Sequence, residues 1–227
     1  MMRLWDIGDG VDTKTVIAWC TRDREDLAAD FFFARPEFEG QPAALWLELF
    51  LDFCGVRIHD CRLASGQLGL CDIKERIIFV NSGMHEFVHH KTNLTALRTS
   101  TLAHELGHLR LHEGEDTDQV YVSSYRQGKM LRHPRAYQRE READLYGALF
   151  LVPLKDLKAH KSSATMQIHR KERKSLSNAT IWKMIYRIAG DFRVSPTLIR
   201  RCLLELGWIE SVNHKAGYKE TLRLKLG

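Results

Sequence analysis

Paired cysteines, long apolar runs and a strong charge of either sign are all missing from this chain. Its five cysteines, Cys20, Cys54, Cys61, Cys71 and Cys202, are odd in number and contain no C-x-x-C pair. That excludes a disulfide framework and the usual paired-thiolate zinc motif, and it points to the reducing cytoplasm. Cys54, Cys61 and Cys71 match no ligand spacing and read as free thiols in apolar surroundings. The longest apolar stretch near the start, Phe31 to Ala34, is far short of the roughly 20 residues that cross a bilayer. Asp6, Asp9 and Asp12 lie in the first twelve residues and no apolar run follows, so no secretory signal is expected. A formal net charge of +5 and a pI near 9.0 permit contact with nucleic acid or an acidic partner without demanding it. What is present is enough apolar residue, 44% of 227, to build one catalytic domain with a small appendage.

The stretch Leu102 to Glu113, L-A-H-E-L-G-H-L-R-L-H-E, contains H-E-x-x-H at His104, Glu105 and His108. On a helix, residues four apart share a face one turn apart. Two imidazoles so placed hold one zinc ion, and Glu105 beside them is placed to take a proton from water at the metal. Leu102, Ala103, Leu106, Leu109 and Leu111 make the segment apolar enough to be a buried helix. Gly107 lowers helix propensity by about 1 kcal/mol relative to alanine, which suggests close packing or close substrate approach.

A catalytic zinc needs a third protein ligand. A histidine six positions after His108 would supply it in a metzincin, but position 114 is Gly114. The remaining source is a carboxylate on a later helix. Arg139 to Pro153 reads R-E-R-E-A-D-L-Y-G-A-L-F-L-V-P, with Ala143, Tyr146, Gly147, Phe150 and Leu151 at helical spacing. Glu142, at the start of that face, is the expected ligand and Glu140 the fallback. Asp144 is expected to orient a ligand imidazole from behind. Zinc is the expected metal and manganese the alternative. Tyr121, Tyr125 and His133 are candidates to stabilise the oxyanion of a tetrahedral intermediate, with no basis for choosing among them.

The run R-I-I-F-V-N, then T-L-A-H-E-L-G-H, then E-A-D-x-Y-x-x-x-x-L-V-P resembles the ImmA/IrrE family of metallopeptidases, over about Leu47 to Glu210. The resemblance implies a gluzincin-like zinc peptidase with His104, His108 and Glu142 as ligands and Glu105 as general base. It implies a substrate class too: helix-turn-helix repressors of the Xre type, cleaved or antagonised to derepress mobile-element or stress-response genes. It also implies that an edge strand beside the zinc helix pairs with the substrate backbone.

The expected fold is α+β: a zincin-like domain with a small sheet and an active-site helix, then a small helical module. Residues 1–40 read as an N-terminal extension in which Asp12 or Thr13 caps a helix to about Cys20, and Phe31, Phe32 and Phe33 dock on the catalytic domain. Residues 41–154 are the peptidase domain. It contains a helix over Pro42 to Phe53 with Leu45, Trp46, Leu49, Phe50 and Phe53 inward, a short strand Val56 to Ile58, and a hairpin over Leu70 to Val80. His85, His89 and His90 read as exposed loop residues. Asn93 or Thr95 is expected to cap the zinc helix, which runs to about His112. His112 shares the face of His108 and is expected to interact with the helix C-terminus. Residues 155–178 read as a solvated basic connector, in part helical. Residues 179–227 read as helix-turn-helix-like, with Ser195 and Pro196 starting the second helix and a wing after Trp208. Arg200 and Arg201 are placed to meet phosphates, but direct DNA contact is the less favoured role for this module. The rival to a peptidase is a non-catalytic partner protein, an anti-repressor or antitoxin-like module, using the same scaffold.

Overall fold

The computed structural model describes residues 12–87, 91–113, 121–124, 134–170, 177–212 and 221–225. Helix α1 spans Thr13–Glu25, with the Asp12 carboxylate accepting from the Thr15 backbone N–H at 3.2 Å. It is longer than its expected end near Cys20. Helix α2 spans Leu27–Ala34. Of the phenylalanine triplet, Phe31 is buried against Trp46, Phe50 and Phe53 at ring separations of 5.6 to 5.8 Å, whereas Phe33 is 93% exposed.

The early helix differs from expectation. A 3-10 turn covers Ala43–Leu45, Trp46 breaks the helical path at φ −124°, and α3 proper is Leu47–Phe53. The break turns Trp46, Leu47, Phe50 and Leu51 inward and leaves Leu45, Leu49 and Phe53 partly exposed. The Trp46 indole N–H donates to the Gln41 carbonyl at 3.1 Å, a bond that a continuous helix from Pro42 would not direct there.

Strands β1 (Arg57–Cys61), β2 (Gln67–Asp72), β3 (Ile77–Asn81) and β4 (Tyr121–Ser124) form one sheet in the order β1-β3-β2-β4. β2 and β3 are the expected hairpin, with Glu75 N–H bonded to Asp72 Oδ1 at 2.9 Å and Arg76 in the left-handed region at φ +53°. β1 joins β3 in parallel and β4 joins β2 antiparallel, so β1 and β4 are the edges of the described sheet. Ile78 and Val80 on β3 and Cys71 on β2 are fully buried in the core. β4 is also packed against the helix that follows the sheet's central hairpin.

That helix, α4, spans Lys91–Leu111, so Asn93 and Thr95 lie inside it and cannot be its cap. His85 is exposed; His89 and His90 lie outside the described residues. α5 spans Pro134–Leu151, and α4 against α5 is the most extensive helix pairing among the described residues. Two glycines allow it. A Cβ on Gly107 would lie 2.8 Å from Ala143 Cα, and one on Gly147 would lie 2.7 Å from the Ala103 carbonyl carbon. Close packing therefore accounts for Gly107.

α1 lies on the same pair. Buried Asp23 accepts from Arg110 Nε and Nη2, both at 2.9 Å, and from the Tyr146 hydroxyl at 2.6 Å. A buried carboxylate is tolerated only when paired in this way. Residues 12–34 thus share the core of α3, α4 and α5.

In the stretch expected as a solvated, partly helical connector, α6 spans Leu154–Arg170, with Leu157 buried. α7 (Asn178–Phe192) and α8 (Pro196–Glu205) follow, capped by Ser177 and Ser195. Arg193, left-handed at φ +56°, ends α7. β5 (Ile209–Val212) and β6 (Thr221–Leu224) form an antiparallel pair where a wing was expected. α8 packs on α5, and its Glu205 receives Arg141 Nε and Nη2 at 3.0 and 2.5 Å. The architecture is mixed α+β. All five cysteines are free thiols, and burial pushes that of Cys20 up to about 12, which leaves it inert. Among the described residues, no helix is long and apolar enough to cross a membrane.

Candidate metal centre

His104 and His108 project from one side of α4 with their Nε2 atoms 3.0 Å apart, and both residues are buried. The carboxylate that meets them is that of Glu140. Its oxygens lie 3.3 Å from His104 Nε2 and 3.4 Å from His108 Nε2. One ligand atom from each of the three residues falls within 4.8 Å of the others. A tetrahedral ion with bonds of about 2.05 Å separates its donors by about 3.3 Å. The donor set, its spacing and its burial therefore fit a zinc-sized divalent ion.

Glu142, the expected third ligand, is directed elsewhere. Its Oε2 faces His112 Nε2 at 3.4 Å and its Oε1 accepts from Gln138 at 2.8 Å. The reason is helical phase. Ala143 marks the line of contact between α5 and α4. At about 100° per residue, Glu140 and Asp144 project to one side of that line and Glu142 to the other. The sequence held the signal. Asp144 was expected behind a ligand histidine, and the carboxylate four residues earlier shares its face.

Asp144 stands where expected: His104 Nδ1–H donates to its Oδ1 at 2.8 Å. This fixes the tautomer that presents Nε2 to the centre. His108 has a longer chain behind it. Its Nδ1 lies 3.0 Å from Nδ1 of His112, whose Nε2 faces Glu142. His112 is buried and backs the second imidazole; the expected role at the helix C-terminus missed this. Each histidine thus has a carboxylate behind it, directly or through one imidazole.

The charges follow from these contacts. Burial pulls His104 down, but hydrogen bonds to Asp144 and Glu140 and their charge override it and raise its pKa well above the ordinary histidine value. Burial dominates at His108 and lowers it to about 4. Burial pushes Glu140 up, but its bonds to both histidines outweigh that and hold it at about 2. Glu140 is therefore ionised and His108 neutral at pH 7, the forms a metal requires. Glu105 is 0% exposed, on the opposite flank of α4 from Gly107; burial raises the pKa of the Cys71 thiol, and the nearby Glu105 charge adds to the rise. Tyr121 begins β4, while Tyr125 and His133 lie outside the described residues.

A mixed α+β domain carrying H-E-x-x-H on a buried helix, with a carboxylate from the next helix closing the triangle, has the features of a zincin-like metallopeptidase. The family model described as Peptidase_M78, IrrE N-terminal-like domain, matches residues 55–203, well over half of the chain. The chain belongs to this family, as the resemblance of its motifs implied. No curated protein sequence matches it.

Proposed function

We propose that this protein is a site-specific, metal-dependent endopeptidase whose substrate is a helix-turn-helix repressor of the Xre type, and that its cleavage derepresses mobile-element or stress-response genes in the cytoplasm. The observation that carries the enzymatic part is the buried triangle of His104, His108 and Glu140, with buried Glu105 adjacent to His104 in the chain. Zinc held by His104, His108 and Glu140 would supply Lewis acidity for peptide hydrolysis. Glu105 takes the proton of the attacking water and passes it to the leaving amine. Asp144 and His112 keep the two imidazoles oriented. The edge of β4 that pairs with no other described strand, against α4, offers backbone groups to an extended substrate segment. The α7–α8 pair serves as a helix-turn-helix-like grip on the repressor in preference to DNA, since Arg201 and Glu205 already bond to α5.

A second reading has its own support. A general base must meet water, and Glu105 is wholly buried. That favours a non-catalytic binding module that antagonises the repressor by contact. Glu105→Gln separates the two. Comparison of new protein N-termini in cells carrying the wild type or this variant, with and without DNA damage, should reveal one or a few fragments that depend on Glu105. Identical N-termini from two folded, metal-loaded proteins would establish the binding module.

A further inference from the structure

The contact that the peptidase reading leaves unused lies between the last helix and the metal centre. Asp144 divides its carboxylate: Oδ1 accepts from His104 Nδ1 at 2.8 Å, and Oδ2 faces Arg201 Nη1 of α8 at 3.3 Å. One turn along α8, Glu205 receives Arg141 of α5 through two bonds. The two ion pairs have opposite polarity, acid on α5 to base on α8 and then the reverse. Sliding α8 along α5 by one turn would set Arg201 against Arg141, so the pairs define a single register.

We propose that Arg201 is a positioning residue of the metal centre: it holds Asp144 in the orientation that aims His104, and it thereby links metal affinity to the docking of α8 on α5. This rests on reading His104, His108 and Glu140 as metal ligands.

Arg201 is 42% exposed, and an ion pair so placed adds little to stability. Its consequence lies in what its partner does. The carboxylate behind a ligand histidine sets ring orientation and basicity, and losing such a partner typically weakens metal binding about 10- to 100-fold. Without Arg201 the Asp144 carboxylate keeps, among the described residues, its bond to His104 and loses the contact that opposes its turning about the Cβ–Cγ bond. One position further from the ion, the effect should be smaller, about three- to ten-fold. Linkage requires the reverse as well: a metal that favours the aimed His104 favours docked α8 by the same factor. Events that pull on the C-terminal helices, such as engagement of a partner, then reach the metal centre through one guanidinium.

The test is zinc affinity, by competition with a chromophoric chelator, for the full-length wild type, Arg201→Ala, Arg201→Lys, Asp144→Asn and Arg201→Ala/Asp144→Asn. Arg201→Ala should bind zinc about three- to ten-fold more weakly, and Arg201→Lys, which keeps a cation in reach, should recover most of the loss. In the Asp144→Asn background, Arg201→Ala should add nothing. Zinc should also slow amide hydrogen exchange over residues 196–205 of the wild type, a readout that does not depend on a variant folding. Equal zinc affinity of wild type and Arg201→Ala, an undiminished Arg201 effect in the Asp144→Asn background, or exchange in α8 indifferent to zinc would overturn the proposal. A wild type that binds no zinc would overturn the metal reading, and this inference with it; a wild type that binds zinc but shows no Arg201 effect would overturn this inference alone.

Discussion

Replacing Gly107 by alanine tests how α4 and α5 build the site. The added Cβ would sit 2.8 Å from both the Cα and the carbonyl oxygen of Ala143, about 0.7 Å inside the ~3.5 Å at which such contacts become favourable. Both clashing atoms are backbone, so no side chain can swing aside and the helices must separate. Overpacking of this kind costs about 1–3 kcal/mol, and a backbone clash belongs at the upper end. Alanine returns about 1 kcal/mol of helix propensity. The net loss is therefore about 2 kcal/mol, or about 4–8 °C in melting temperature for a chain of this size. Separation also moves Glu140, one turn before Ala143, away from the two histidines, so zinc affinity should fall along with stability. The assay is thermal unfolding with and without zinc. The shift should be larger with zinc, because the variant loses part of the ligand's stabilisation. A melting temperature equal to or above that of the wild type would mean that propensity outweighs the clash and that the close approach is not what positions Glu140.

Glu140→Gln and Glu142→Gln should separate the two carboxylates. The first removes a ligand and should abolish tight zinc binding in equilibrium dialysis. The second acts only through His112 and should cost about 10-fold or less; the reverse order would restore Glu142 as the ligand. Zinc uptake should release a proton at pH 7, because the metal-free centre holds one on His104, whose pKa is raised well above 6.5 against burial by Asp144 and Glu140. Calorimetry in buffers of different ionisation enthalpy reads this directly, and affinity should climb with pH until the raised value is passed. Zero proton release at pH 7 would contradict the assignment. In the metal-free chain the same proton has the opposite consequence. Its stabilisation is fully present below about pH 6.5 and is lost as pH rises through the folded pKa of His104. Urea midpoints of the metal-free chain should therefore drop as pH rises above about 6.5; the opposing effect of His108, whose pKa burial lowers to about 4, is confined to the range from about pH 4 to 6.5.

The amino-acid sequence by itself determined the local facts. H-E-x-x-H in an apolar run placed two imidazoles on one helix face, because that face is a property of 3.6-residue periodicity alone. Ser195-Pro196 marked the start of α8, since caps are local chemistry. The β2–β3 hairpin was legible in its β-branched run and charged turn. Even the Asp144 contact followed from what a ligand histidine needs behind it. Tertiary structure decided which carboxylate closes the centre. Glu140 and Glu142 both lie at the start of α5, and their choice depends on where α5 touches α4, a line set by the close approach at Gly107 and Gly147. It also decided that α1 belongs to the core, because Asp23 meets Arg110 and Tyr146 only across 87 and 123 residues of chain. The same holds for Arg201. Nothing near it in sequence marks it as a neighbour of a metal ligand, and only the packing of α8 on α5 brings its guanidinium, 57 residues away, to the carboxylate that aims His104.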